Sequence, residues 1–300
     1  MATPPSANEG ELAISLASIR AAAARIEGVA HRTPVLTSRL LDAVAAETQH
    51  ESELRLFFKC ENLQKIGAFK YRGALNAVKA RLEAAGEDRQ EPLTFVTHSS
   101  GNHGQALALA ARDAGCRAVV VVPANAPEAK LRAVEGYGAV IERTGPTIQD
   151  REETAARVVA ETGGVFVHPS NDPDVMSGQG TAALELYAQA QELGVKLDAI
   201  LVPVGGGGLL SGMSMAAKSI DPNIKVFAVE PAGAADAHRS MKSGEMLGHE
   251  KPPQTIADGL RSVLGDKNWP VIRQNVDDVV LVSEDEIVAA MRLIWERMKL

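Results

Sequence analysis

Downstream of Leu93 the chain alternates short β-branched runs with longer amphipathic stretches, and no other feature constrains its fold as strongly. Strand-like runs cover 93–97, 118–122, 139–142, 165–167, 199–204 and 226–230. Helical patterns fill 102–114, 128–137, 147–162, 175–193 and 209–219 between them. Continuous Val, Ile and Leu mark strands buried on both faces, hence parallel sheets covered by helices. The expected fold class is α/β, doubly wound. With 300 residues, 45% hydrophobic and 23% charged, the chain can bury the cores that fold needs.

Several function classes fall away on composition. Net charge is −7 and no Lys or Arg directly follows another, so the basic stripe of a nucleic-acid partner is not expected. No segment approaches the run of about 18 apolar residues that a membrane span requires. Residues 1–12 hold Pro4, Pro5, Glu9 and Glu11, and no cation precedes Arg20. They read as a short disordered leader, not a secretory or transit signal. Cys60 and Cys116 lie in or beside apolar stretches and suit packing in a reduced, cytoplasmic setting.

Three loops carry the chemistry. In the first, Leu201-Val202-Pro203-Val204 runs into Gly205, Gly206, Gly207 and Gly208 and then into a helix. Four glycines cost backbone entropy, and close approach of N–H groups to an anion at a helix N-terminus supplies a reason. A flexible turn, or a dinucleotide fold with Glu230 as the ribose-binding acid, also fits this loop on its own.

In the second, Gln64-Lys65-Ile66-Gly67-Ala68-Phe69-Lys70-Tyr71-Arg72-Gly73-Ala74, Lys70 opens a helical pattern over 71–85. A solvated lysine tolerates that position. A lysine held in a pocket there is pushed toward its neutral, nucleophilic form, which Schiff-base chemistry requires. In the third, Thr97-His98-Ser99-Ser100-Gly101-Asn102-His103 leads from a strand into a helix. Hydroxyls and N–H groups converge there on an anion, or one of them caps the helix.

In this order the loops resemble those of the fold-type II pyridoxal-phosphate enzymes, most closely the serine racemases and serine/threonine dehydratases. The resemblance runs from His31-Arg32-Thr33-Pro34 to the last residue. It implies a tryptophan-synthase-β-like architecture of two doubly wound parallel-sheet lobes with the cofactor in the cleft between them. Residues 1–84 and 172–300 would form a discontinuous, large cofactor-binding domain. Residues 85–171 would form a small substrate-clamping domain.

The resemblance also implies roles. Lys70 would hold pyridoxal 5'-phosphate, with Phe69 beside its ring and Asn102 at the ring hydroxyl. Gly205, Gly206, Gly207 and Gly208 would cradle the phosphate, and Gly259 would abut the cofactor. Ser99, Ser100, Gly101, Asn102 and His103 would line the substrate carboxylate site, with Lys70 and Ser100 as acid–base groups on opposite faces. The substrate would be a small amino acid, and the reaction racemisation or α,β-elimination of serine or threonine to a D-amino acid or a 2-oxo acid plus ammonia.

On chemistry alone, Glu230 and Asp236 read either as a hard-cation pair or as a strand-end acid and a surface acid. The resemblance implies Mg²⁺ or Ca²⁺ held by Glu230, Asp236 and the carbonyl of Ala234. It further implies a homodimer.

Two departures stand out. Ser170 follows His168-Pro169 where relatives often carry Asn. The sequence given also ends at Leu300, ahead of the Glu-Pro-Thr-Ala-Gly-like loop and the Ser-Gly-Gly-Asn-like strand end of relatives. The latter supplies the serine facing the pyridine nitrogen. The competing expectation is a truncated, catalytically impaired cofactor-binding homologue or interaction subunit, with low turnover and a tendency to associate.

Overall fold

A computed structural model describes residues 12–49, 54–86, 91–99 and 101–300; the leader expected over 1–12 lies outside them except for Leu12. The chain begins with α1 (Leu16–Ile26). A short antiparallel pair, β1 (Val35–Leu36) and β2 (Phe58–Lys59), flanks α2 (Arg39–Gln49), and α3 (Lys70–Ala85) follows.

Strict alternation then sets in, as the sequence pattern requires. It runs β3 (Thr94–Thr97), α4 (Asn102–Asp113), β4 (Arg117–Pro123), α5 (Glu128–Gly136), β5 (Val140–Thr144), α6 (Ile148–Thr162) and β6 (Val165–Phe166). These four strands form one parallel sheet in the order β5-β4-β3-β6. Helix ends are set locally. Thr147 and Asp150 close a capping box on α6, and Gly163 ends it in the left-handed conformation.

The second half runs α7 (Pro173–Glu192), β7 (Ala199–Pro203), α8 (Gly208–Ile220), β8 (Lys225–Pro231), α9 (Asp236–Ser243), α10 (Asn268–Asn275), β9 (Asp278–Val282) and α11 (Glu284–Leu293). Strands β7, β8 and β9 form a second parallel sheet in that order. Among the described residues no helix is long and apolar enough to cross a membrane.

Each sheet has its own core. One face of the four-stranded sheet packs Phe95, Val120 and Val122 against Tyr71, Leu75 and Val78 of α3 and Leu107 of α4. Its other face packs Val96 and Val121 against Ala155 and Val158 of α6. Ile200, Val202, Val226, Ala228 and Val279 of the three-stranded sheet face Met176 of α7, Leu210 and Ala216 of α8 and Ile272 of α10. The opposite face of that sheet leaves Leu201 65% and Val280 43% exposed.

Helix α7 joins the two cores, and small residues let its neighbours approach. A Cβ on Gly178 would stand 2.6 Å from Gly73 Cα, and one on Gly212 of α8 would stand 2.3 Å from the Met176 carbonyl. The C-terminal ends of β3, β6 and β7 thereby open toward one another. In open α/β sheets that is where ligands bind.

Candidate active site

Lys70 is the first residue of α3 and lies half-buried where the sheet ends meet. Its Nζ donates to the Pro169 carbonyl at 2.8 Å and lies 5.3 Å from the centre of the Phe69 ring. Burial pushes its ammonium down to about 8, because a desolvated cation loses its hydration. A substantial fraction is therefore a free amine near neutral pH, as a nucleophilic lysine needs.

The four glycines link β7 to α8 so closely that no side chain fits. A Cβ on Gly205 would lie 2.9 Å from Leu260 Cα. Cβ atoms on Gly206 and Gly208 would lie 2.4 Å from Ser170 Oγ and 2.8 Å from the Ser170 carbonyl. Gly207 has φ +87°, and its Cβ would meet Asn268 at 2.9 Å. What remains is a backbone cradle opening α8, whose first-turn N–H groups have no acceptor within the helix. Asn268 supports it from below, accepting from Ser211 Oγ at 2.9 Å and donating to the Ser170 carbonyl at 3.1 Å. A phosphate monoester fits such a cradle, and the buried Lys70 amine fits an aldehyde. The residues present thus suit pyridoxal phosphate.

The serine-rich loop ends at Gly101, the cap residue of α4, and makes no side-chain capping bond among the described residues. Ser99 is half-buried, Asn102 is exposed and His103 is buried, while Ser100 lies outside the described residues. Gly259 is exposed next to Leu260, on the loop that touches Gly205. Lys70 with Phe69 at its side, His103, the 168–171 turn, the glycine loop and the Gly259–Leu260 stretch are thus brought together.

Sequence reasoning left three features unassigned. Two histidines, His103 and His168, lie near Lys70, with His98 packed against His168. His98 and His168 meet edge to face at 5.3 Å, and burial chiefly lowers the pKa of each, His168 to about 4. Burial and the nearby Lys70 charge hold His103 well below the usual imidazole range. Arg151 on α6 adds positive charge that depresses His98 further.

Two residues beyond Lys70, the fully buried Arg72 forms the second feature. It donates to both oxygens of Glu61 at 2.8 Å and to the Glu185 carboxylate at 2.7 and 2.8 Å. Glu185 also pairs with Lys59 at 2.6 Å. The third feature is Asn268 beneath the cradle. Its signal was absent because its partners lie 57 and 98 positions away.

A second, separate arrangement sits at the end of β8. Glu230 is fully buried and accepts the backbone N–H groups of Ala237 and His238 at 2.8 and 2.9 Å. Burial, outweighing those bonds, raises its carboxyl to about 7. Asp236, equally buried, accepts from Leu264 N at 2.9 Å through Oδ2, while Oδ1 has no hydrogen-bond partner. Burial raises its pKa too. The surface-acid alternative for Asp236 does not hold. Two buried carboxylates beside the Ala232–Ala234 turn suit an oxygen-seeking divalent cation, although His249 Nδ1 lies 3.5 Å from Asp236 Oδ1.

The comparisons with known proteins point the same way. Residues 26–300 match the family described as pyridoxal-phosphate dependent enzyme. The serine racemase of Homo sapiens is 47% identical over 287 residues, covering 96% of this chain and 81% of that protein. The structure of maize serine racemase superposes with a TM-score of 0.88 at 45% identity, over 96% of this chain and 82% of that one. The crystal structure of a T.th. threonine deaminase gives a TM-score of 0.86 at 44% identity, over 95% of this chain and 87% of that one.

Proposed function

The chain belongs to the pyridoxal-phosphate dependent enzymes, and from that membership we propose that it racemises or dehydrates a small β-hydroxy amino acid, serine or threonine. The products are the D-amino acid or the 2-oxo acid and ammonia. The observation that carries this reading is the Lys70 amine, desolvated and aimed at the cleft in front of a glycine cradle.

Gly205, Gly206, Gly207 and Gly208 would hold the phosphate through backbone N–H groups, and Asn102 and Gly259 would border the ring. When bound, pyridoxal phosphate supplies the electron sink that makes the α-proton of an attached amino acid removable. Lys70, as a free amine, would take that proton on its own face. Ser100 would return a proton from the opposite face in racemisation. In dehydration the β-hydroxyl departs as water instead. Ser99, Gly101 and His103 hold the substrate carboxylate beside the α4 N-terminus.

Residues 85–171 act as the substrate-clamping lobe on a cofactor-binding lobe of 1–84 and 172–300. In support, the four-stranded sheet lies wholly within 94–166 and the three-stranded sheet within 199–282. Glu230, Asp236 and the Ala234 carbonyl would hold Mg²⁺ or Ca²⁺. Cys60 and Cys116 are free thiols, which suits the cytoplasm, and the working form is a homodimer.

The test is direct. Protein incubated with pyridoxal phosphate should form pyruvate and D-serine from L-serine, and borohydride should fix the pyridoxyl group on Lys70. A label on Lys59, Lys65 or Lys218, or no turnover with Lys70 labelled, would overturn the assignment.

A further inference from the structure

The turn 168–171 touches both halves of the site, and one side chain builds it. His168 Nδ1 accepts the backbone N–H of Ser170 at 3.1 Å and of Asn171 at 2.8 Å. Nδ1 stands one bond from Cγ, as does Oδ1 of Asn or Asp, so the ring closes an Asx-type turn with nitrogen in place of oxygen. The turn presents the Pro169 carbonyl to Lys70 Nζ at 2.8 Å. One residue on, Ser170 fills the space against Gly206 and Gly208. Its far side is tied down by Asn268, which donates to the Ser170 carbonyl, and by Asn171 Nδ2, which donates to Asp266 at 2.6 Å.

We propose that His168 is a positioning residue: as a neutral acceptor it holds the 169–171 turn between the Lys70 amine and the glycine loop, and its protonation releases both. The proposal rests on the reading of that cleft as the pyridoxal-phosphate site.

An imidazolium at 168 would turn an N–H toward two N–H donors and lose both bonds. The surroundings oppose that charge. The ring is desolvated, and it faces His98 at the end of β3, Lys70 at the start of α3, His103 on α4 and Lys267 ahead of α10, with Asp266 as the opposing carboxylate. In the folded chain His168 titrates at about 4, below the ordinary value of 6.5. The folded state thus binds fewer protons than the unfolded one between these values. The stability the turn contributes is complete above pH 6.5 and is lost as pH falls toward 4.

A histidine present merely to pack against His98 and Phe166 would need no acceptor, and two variants separate these roles. His168→Phe keeps an aromatic ring and removes the acceptor. His168→Asn keeps an acceptor at the same branch point and removes the ring. In cofactor-free protein, amide exchange at Ser170 and Asn171, corrected for intrinsic rates, should quicken about tenfold or more in His168→Phe and stay within about threefold in His168→Asn. Affinity for pyridoxal phosphate, followed by visible absorption, should fall about tenfold in the first variant and hold in the second. Lowering the pH from 6.5 to 4 should open these amides in the parent and leave them protected in His168→Asn.

Parent-like behaviour of His168→Phe would overturn the proposal. So would equal losses in both variants, or an acid response shared by parent and His168→Asn. Failure of the cofactor reading looks different. The parent itself would then take no pyridoxyl label on Lys70, while the exchange data would still judge the turn.

Discussion

At the scale of single residues, the site is a set of groups held in uncommon protonation states, and Lys70 has the most direct consequence. A lysine with pKa about 8 is roughly a quarter neutral at pH 7.5, against roughly a thousandth for an ordinary one. The initial rate at which cofactor-free protein condenses with pyridoxal phosphate should therefore rise with pH and level off above about 8. Stopped-flow absorbance measures it, and a rate still climbing steeply between pH 9 and 10 would show that Lys70 is not desolvated. Ser100 carries the other residue-scale expectation. If it is the acid opposite Lys70, Ser100→Ala should cut D-serine formation by about 100-fold or more while pyruvate formation largely survives. Equal loss of both products would mean a general binding role. Lys70 and the glycines stood out in the sequence because their features are local, a cation at a helix start and four residues without Cβ, while their roles came from the family resemblance. The histidine turn did not, because His168 shows its purpose only once Lys70, 98 positions away, is brought to the neighbouring Pro169 carbonyl.

At the scale of elements, the parallel strands β3 to β8 and the helices between them formed within three residues of their expected bounds. Each is a continuous apolar run or an amphipathic period that its own side chains announce, as in Val119–Val122 of β4. Strands β1 and β2 are only two residues long and were not expected, and neither was β9, although Val279–Val282 is an apolar run of the same kind. The means of fixing α3 also stayed hidden, since Arg72 finds Glu185 across 113 positions. That guanidinium pins the first turn of α3, and with it Lys70, to α7. Arg72→Met should leave Glu61 and Glu185 facing each other near the core and cost about 3 kcal/mol in urea unfolding. Arg72→Lys should recover part of this, because a point charge cannot bridge two carboxylates as a planar fork does. A loss under about 0.5 kcal/mol in Arg72→Met would show that the clamp is incidental.

At the scale of the whole molecule, the two proposed ligands meet through one loop. Asp236 holds Leu264 N with Oδ2 and leaves Oδ1 without a hydrogen bond, 3.5 Å from His249 Nδ1. Leu264 leads to Gly265, whose N–H donates to the Gly206 carbonyl at 3.3 Å, and the Leu264 side chain packs beneath Gly207. A cation at Glu230 and Asp236 would offset the repulsion of two buried carboxylates and fix Asp236, hence this loop, hence the phosphate cradle. Binding the folded form alone, Mg²⁺ or Ca²⁺ should raise the melting temperature, and chelator should lower it. The same contact chain demands more than stability. Chelation should weaken pyridoxal-phosphate affinity by about fivefold or more, and saturating pyridoxal phosphate must tighten cation binding by the same factor, because a coupling free energy is reciprocal. Titrating each ligand in the presence and absence of the other measures both factors. In Glu230→Gln/Asp236→Asn both should collapse to one. If the factors persist there, the cation sits elsewhere; if the parent binds cation with no change in cofactor affinity, the Leu264–Gly265 loop does not connect the two sites.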